Sequence, residues 1–131
     1  MTRLAGKIAI VTGAARGMGA AISRRFAEEG ATVALTDVLP EVDATAQAIG
    51  PAATAYRHDV SDESRWQEVV DAVVARHGRI DVLVNNAGIL MFKDLLATSA
   101  ADLRRILDVN AVGTFIGMHL LGFSINVISL L

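Results

Sequence analysis

The sequence contains no cysteine, which excludes disulfides, thiolate metal sites and thiol nucleophiles. Its histidines, His58, His77 and His119, lack the spacing of metal ligands. The formal charge is only −2 at pH 7, which gives no basic field for nucleic acid. We therefore expect neither a metal nor a nucleic-acid partner, and the lack of cysteine fits a cytoplasmic protein.

The sequence also lacks a signal-type apolar core, an internal repeat, a low-complexity tract and a linker. The amino-terminal apolar run, Ile8 to Thr12, is too short for a secretion signal. The 131 residues are 53% hydrophobic and 20% charged, which suits one modest domain with a buried core. We predict a single domain over residues 1–131.

A glycine-rich turn follows the first apolar run. Ile8 to Val11 is short and uninterrupted, as expected of a strand buried on both faces. Gly13 allows a sharp turn, Gly17 allows the backbone to approach a bulky anion, and Gly19 allows the next helix to pack closely on the strand. The free N–H groups of that helix would suit a pyrophosphate. The alternative is an ordinary tight turn.

Strand and helix patterns then alternate along the chain. Strands are predicted at 32–36, 54–58 and 81–84, and helices start near 18, at Pro40, at a Ser61 cap and at a Ser99 cap with Asp102. The first helix should bury Met18, Ile22 and Phe26 and expose Arg24, Arg25, Glu28 and Glu29. The later helices should bury Trp66, Val69, Val70, Val73 and Val74, and then Leu103, Ile106 and Leu107.

Polar residues stand where the predicted strands end. Asp37 comes 18 residues after Gly19, and its carboxylate could accept hydrogen bonds from ribose hydroxyls and repel a 2′-phosphate. It could equally be an ordinary loop aspartate. Asn85 and Asn86 could bridge strand ends, and Gly88 leaves room for a ribose. Ligands bind at this end of the strands in open α/β sheets.

Asn110 falls on the apolar face of the predicted helix that follows Ser99. A buried amide is costly unless it is hydrogen-bonded. It is therefore either a satisfied core amide that bends the helix or an amide placed beside a reacting centre.

Together these residues resemble the first half of a short-chain dehydrogenase/reductase. The family's motifs match Thr12-Gly13-(x)3-Gly17-x-Gly19, Asp37, Asp59-Val60, Asn85-Asn86-Ala87-Gly88 and Asn110-Ala111-Val112-Gly113, over roughly residues 3 to 118. The glycine turn and Gly88-Ile89-Leu90 look most like bacterial hydroxysteroid dehydrogenases and 3-oxoacyl reductases. The resemblance implies an α/β Rossmann-type doubly wound parallel sheet, in strand order 3-2-1-4-5 and truncated after the fifth strand.

The resemblance also implies a site. The family's cofactor-binding positions fall on Thr12, Gly13, Arg16, Gly17, Met18, Gly19, Asp37, Asp59, Val60, Asn86, Ala87 and Gly88, and its helix-borne catalytic asparagine falls on Asn110. Some NADP-using relatives keep a basic residue at the position of Arg16. We favour NAD over NADP, because Asp37 would meet a 2′-phosphate directly, whereas Arg16 can lie in solvent. The substrate class would be a secondary alcohol or ketone.

The sequence departs from the family at its catalytic groups. The family uses a serine and a Tyr-x-x-x-Lys pair. Here the one tyrosine is Tyr56, and the lysines are Lys7 and Lys93. Leu130 stands where the serine is expected, Asn126 and Val127 look exchanged, and residues 117–123 look shortened. Either the chain belongs to an NAD-dependent oxidoreductase whose catalytic half lies elsewhere, or it is an inactive NAD-binding half-domain produced by a deletion or frameshift.

A tail anchor is a third interpretation of the carboxyl-terminal stretch. Residues 109–131 carry no charge and are long enough to span a bilayer. Several polar residues lie within the stretch, however, and no basic cluster flanks its end. A buried helix followed by a strand explains the pattern better, so we expect no membrane partner.

We predict that the 131-residue chain is marginally stable, self-associating or aggregation-prone. In the family a sixth helix packs against the fifth, so apolar surface around Phe115, Ile116 and Leu120 should be exposed or paired with another chain. The fifth strand would be an unprotected apolar edge. Sedimentation and thermal melting of the pure chain test this, after intact-mass measurement of the native product; a monodisperse monomer that melts cooperatively would contradict it.

Overall fold

The sheet has five parallel strands. A computed structural model describes residues 2–122 and 125–130. The strands are β1 (Ile8–Thr12), β2 (Thr32–Asp37), β3 (Ala53–Arg57), β4 (Val82–Asn85) and β5 (Asn126–Ser129). Their order is β3-β2-β1-β4-β5, and each neighbouring pair is parallel. The predicted Rossmann-type α/β class and strand order are confirmed.

Five α-helices connect and follow these strands. They are α1 (Gly17–Glu28), α2 (Glu41–Ile49), α3 (Glu63–His77), α4 (Ala100–Leu107) and α5 (Gly113–Leu121). A π-helical turn, Asp108–Val112, joins α4 to α5. Across residues 2–122 and 125–130, no helix has both the length and the apolar character needed to cross a membrane. The stretch considered as a tail anchor is divided, since α5 ends at Leu121 and β5 begins at Asn126.

Alternate residues of the strands lie in two hydrophobic cores, one on each face of the sheet. On one face, Ile10 and Leu83 pack with the apolar stripe of α3 and with Ile116 of α5. On the other face, Val11 and Val84 pack with residues of α1 and α2. Because side chains alternate along a strand, a sheet covered on both faces must be apolar at every position. All five residues of β1 are accordingly buried.

Trp66 is the largest fully buried side chain. Its Nε1 donates a hydrogen bond to the Val60 carbonyl oxygen at 2.9 Å. A Cβ on Gly117 would lie 2.8 Å from the Trp66 ring, so the glycine lets α5 approach α3 closely. Our interpretation of Trp66 as a packing residue is confirmed.

Three expectations for the first half of the chain are wrong. Met18 is 59% exposed, because it lies at the open end of α1 rather than over the sheet. Glu29 is buried, because its Oε2 accepts the Arg3 backbone N–H at 3.1 Å. Asp62, not Ser61, caps α3: its Oδ1 accepts the Arg65 backbone N–H at 3.0 Å.

The helices of the second half differ from the predicted apolar faces. The predicted cap of α4 is confirmed, since Ser99 and Asp102 form a reciprocal capping box. No residue of α4 is buried, however, and Leu103 and Leu107 are 53% and 48% exposed. Ile116, expected at the surface, is buried. Leu103 and Leu107 precede the π-helical turn, and α4 packs chiefly against that turn rather than on the sheet, so its apolar face stays open.

The exposed fractions of side chains in α3, α5 and β5 bear on three further expectations. Val74, placed on the inner stripe of α3, is 42% exposed, whereas the other four residues of that stripe are buried. Phe115 is 60% exposed, as predicted. All four residues of β5 are exposed, and β5 pairs with β4 alone. Phe123, named in the predicted shortening of the chain before β5, lies outside the described residues.

Replacing Trp66 by alanine should lower the free energy of unfolding by about 3–5 kcal/mol, because it leaves a cavity and an unpaired carbonyl oxygen. Val74→Ala, on the same helix but half exposed, should cost less than about 1 kcal/mol. Urea denaturation followed by far-ultraviolet circular dichroism measures both. Equal losses would contradict the assigned role of Trp66.

Candidate functional site

A cleft of about 390 Å³ lies where the carboxyl ends of β1, β2, β3 and β4 meet. Eight of the residues singled out from the sequence line it: Gly13, Arg16, Asp37, Asp59, Val60, Asn86, Ala87 and Gly88. The others in the predicted set, Thr12, Gly17, Met18, Gly19 and Asn110, are not among the lining residues. Thr12, Gly19 and Asn110 contact residues that line the cleft, and Gly17 and Met18 are exposed at the start of α1.

The glycines of the turn after β1 each have a steric reason. A Cβ on Gly13, whose φ is +63°, would lie 2.9 Å from the Ala87 Cα. A Cβ on Gly19 would overlap the Gly13 carbonyl oxygen and lie 2.6 Å from Asn86 Nδ2. Gly17 has φ +59° and would meet no protein atom within 4 Å. Gly13 and Gly19 therefore permit close packing, whereas Gly17 is needed for its backbone conformation and leaves its surroundings open.

Thr12 and Asn86 cross-link the turns after β1 and β4. Asn86 Nδ2 donates to the Thr12 and Gly13 carbonyl oxygens, both at 3.1 Å. In return, Thr12 Oγ1 accepts the backbone N–H groups of Asn86 at 3.1 Å and Ala87 at 3.0 Å. The expectation that an amide bridges these strand ends is confirmed for Asn86. These four bonds fix the floor of the cleft.

The amino terminus of α1 has features that favour an anion. Its first turn holds no acidic residue, and the preceding residue, Arg16, makes no side-chain cap. Early helix N–H groups lack intrahelical partners and carry the positive end of the helix dipole. Arg16, Gly17 and Met18 are all exposed here, so the helix end is accessible from outside.

Asp37 ends β2 beside this turn. Its Oδ2 accepts the Ala15 backbone N–H at 3.0 Å, and its Oδ1 accepts the Leu39 backbone N–H at 3.1 Å. Ala14 N–H also donates to the Thr36 carbonyl oxygen at 3.0 Å. The carboxylate thus holds two loops in place and still has acceptor capacity at the cleft.

Asp59 lies in a second polar group of the cleft. Its Oδ1 accepts the backbone N–H of Ser61 at 3.0 Å and the Ser61 hydroxyl at 2.7 Å, and its Oδ2 accepts Arg105 NH2 at 3.2 Å. Burial acts to raise the pKa of Asp59, but the Ser61 hydrogen bonds and the Arg105 charge outweigh it and leave the pKa below its ordinary value. Asp59 is therefore a carboxylate at neutral pH.

His58 lines the cleft and is buried. Its Nδ1 lies 3.0 Å from Thr36 Oγ1, and its ring meets that of Trp66 edge to face, with centroids 4.4 Å apart. Burial, followed by the nearby Arg65 charge, lowers the pKa of His58 to about 4, so the ring is neutral at pH 7. Its Nε2 has no hydrogen-bond partner within the described part of the chain.

Asn110 lies in the π-helical turn, and both polar atoms of its side-chain amide are hydrogen-bonded to one residue. Its Oδ1 accepts the Ile89 backbone N–H at 2.8 Å, and its Nδ2 donates to the Ile89 carbonyl oxygen at 2.9 Å. These contacts fit the interpretation as a satisfied amide. They also fix Ile89, which lines the cleft, so Asn110 shapes the wall of the site from behind.

Sequence reasoning did not single out Arg105 or His58 as site residues. His58 could have been noticed, since it directly precedes Asp59 at a strand end. Arg105 carries no such signal, because it is separated from Asp59 by 46 positions. Within residues 2–122 and 125–130, no three His, Cys, Asp or Glu side chains are placed to hold a metal ion.

A parallel α/β sheet with a glycine turn and a helix end at its cleft defines the class of nucleotide-binding proteins. The family model described as short chain dehydrogenase matches residues 7–122. The chain therefore belongs to the short-chain dehydrogenase family, as its motifs indicated.

Individual relatives agree with this assignment. The chain is 46% identical to the sex determination protein tasselseed-2 of Zea mays, over 88% of this chain and 37% of the relative. It is 43% identical to a 3-alpha-(or 20-beta)-hydroxysteroid dehydrogenase of Mycobacterium tuberculosis, over 89% and 45%. A crystal structure of the 3-ketoacyl-(acyl-carrier-protein) reductase of Brucella melitensis, complexed with NADH, superposes with a TM-score of 0.86 at 35% identity, over 90% of this chain and 50% of that one.

These matches have two consequences. The predicted resemblance to hydroxysteroid dehydrogenases and 3-oxoacyl reductases is confirmed. The chain also spans half or less of the length of these relatives.

Asn86→Asp should lower the free energy of unfolding by about 3 kcal/mol, because a carboxylate would face two carbonyl oxygens that now accept hydrogen bonds. Gln47→Glu makes the same change from amide to carboxylate on the exposed side of α2, and it should shift the free energy of unfolding by less than about 0.5 kcal/mol. Chemical denaturation of the two variants tests the cross-link, which would be refuted by equal stabilities.

Proposed function

We propose that residues 1–131 form a single domain that binds NAD in an oxidoreductase. The reaction would move a hydride between a secondary alcohol or ketone and the nicotinamide. The observation that carries the proposal is the accessible amino terminus of α1 beside Gly17, where a glycine is required and no protein atom would meet its Cβ. Such a helix end is well suited to a pyrophosphate.

The residues of the cleft fit a dinucleotide from end to end. Arg16, Gly17 and Met18, exposed at the start of α1, would hold the pyrophosphate, and Gly13 and Gly19 would set the path of the turn. Asp37 would accept hydrogen bonds from the adenosine ribose, and Asp59 and Val60 would border adenine. Asn86, Ala87 and Gly88, with Thr12 fixing their turn, would lie along the second ribose. When bound, NAD supplies the acceptor or donor of the hydride.

The charge of Asp37 supports NAD rather than NADP. Its carboxylate lines the cleft and would repel a 2′-phosphate on the ribose that it contacts. Arg16, also at the cleft, is exposed and can turn toward solvent. The solved reductase of Brucella melitensis was complexed with NADH, which agrees with this preference.

A second candidate function is NAD binding without hydride transfer. It is favoured by the chemistry of the 131 residues, whose one tyrosine, Tyr56, has Val60 four residues on instead of a lysine. Asn110, the residue of catalytic type, has both polar atoms of its side-chain amide hydrogen-bonded to the Ile89 backbone. Saturable NADH binding by the intact protein without turnover of alcohols or ketones would support this candidate; turnover would exclude it. We place either form in the cytoplasm and expect self-association through the exposed apolar residues.

Asp37→Asn should lower the preference for NADH over NADPH by about tenfold, because it removes the charge that opposes a 2′-phosphate. Dissociation constants of both cofactors, measured by isothermal titration calorimetry on the intact protein, give the preference. Asp71→Asn removes an exposed carboxylate on α3 and should leave the preference for NADH over NADPH unchanged. Failure of the wild-type protein to bind either cofactor would refute the proposed function, and an unchanged preference in Asp37→Asn would refute the role of Asp37.

A further inference from the structure

Arg105 reaches from α4 to the residues that follow β3. Its NH2 donates to Asp59 Oδ2 at 3.2 Å, and its NH1 donates to Ser61 Oγ at 3.0 Å. The Ser61 hydroxyl in turn donates to Asp59 Oδ1 at 2.7 Å. Guanidinium, hydroxyl and carboxylate therefore form a closed ring, and both Arg105 and Asp59 line the cleft.

This ring limits what Asp59 can still accept. A carboxylate offers about four lone-pair positions. Two on Oδ1 are taken by the Ser61 N–H and hydroxyl, and one on Oδ2 is taken by Arg105. One acceptor position remains, on Oδ2. The side chain is 37% exposed, so a ligand in the cleft can reach that position.

We propose that Arg105 is a positioning residue that makes this end of the cleft select a base with an exocyclic N–H donor. Adenine has such a donor, whereas hypoxanthine presents a carbonyl oxygen at the same place. Two acceptors facing each other repel, and a fixed carboxylate cannot turn away to relieve the contact. The inference rests on the proposed binding of NAD and adds a residue that sets its base specificity.

The test compares NADH with reduced nicotinamide hypoxanthine dinucleotide on the intact protein. Wild type should bind NADH roughly tenfold more tightly than the hypoxanthine analogue, the order expected for one hydrogen bond to a charged group. In Arg105→Gln the ratio should fall to about threefold or less, because Asp59 Oδ2 loses its anchor and the carboxylate is held only through the Ser61 bonds to Oδ1. Arg104→Gln, an exposed arginine beside it that does not line the cleft, should keep the wild-type ratio.

A double-variant cycle separates positioning from general destabilisation. If Arg105 acts through Asp59, adding Arg105→Gln to Asp59→Asn should leave the ratio unchanged. Arg105→Lys keeps the charge but cannot donate from two nitrogens, and it should also lower the ratio. Equal weakening of both ligands by Arg105→Gln, an unchanged ratio in the arginine variants, or a further change in the Asp59→Asn background would each overturn the inference.

Measurements on the wild-type protein distinguish failure of the role assigned to Arg105 from failure of the proposed NAD binding. Binding of neither dinucleotide would overturn both proposals. Equal binding of the two dinucleotides would retain NAD binding and overturn only the assigned role of Arg105.

Discussion

The cleft depends on the mutual hydrogen bonding of Thr12 and Asn86. β1 and β4 are adjacent in the sheet, but the turns that leave them have no shared backbone ladder to hold them together. The two side chains supply that link through four hydrogen bonds to backbone groups. Because Gly13 and Gly19 bring the start of α1 against the same amide, the link also sets where the helix end lies. A rigid scaffold of this kind lets loops carry binding groups.

Much of the fold could be predicted because it depends on local patterns. Strands such as β1 must be apolar throughout when both faces are covered, and the stripe of α3 around Trp66 has a clear helical period. The turn after β1 could also be predicted, since Gly13 and Gly17 have positive φ values that other residues rarely adopt. The bridging amide of Asn86 followed from its place after a strand.

Other features depend on contacts that local patterns do not contain. Leu103 and Leu107 have the helical spacing of a buried face, but α4 packs chiefly against the π-helical turn that follows it, so this face stays exposed. Glu29 is charged, and nothing in its neighbours predicts that the Arg3 backbone would cover it. The pairing of Arg105 with Asp59 joins elements far apart in the sequence, which only the folded chain brings together.

The buried Glu29 makes the amino end of the sheet chemically different from the carboxyl end. Its backbone and side chain hold residues 3 and 4 at the amino end of β1, while Asp81 accepts the Ile8 N–H at that same end. A five-residue strand spans about 17 Å, so this anchored end stands well away from the cleft at the carboxyl ends. A fluorescent label attached to the exposed side chain of Lys7, just before β1, would therefore lie at the end of the sheet opposite the cleft and could report on the protein without blocking access to it.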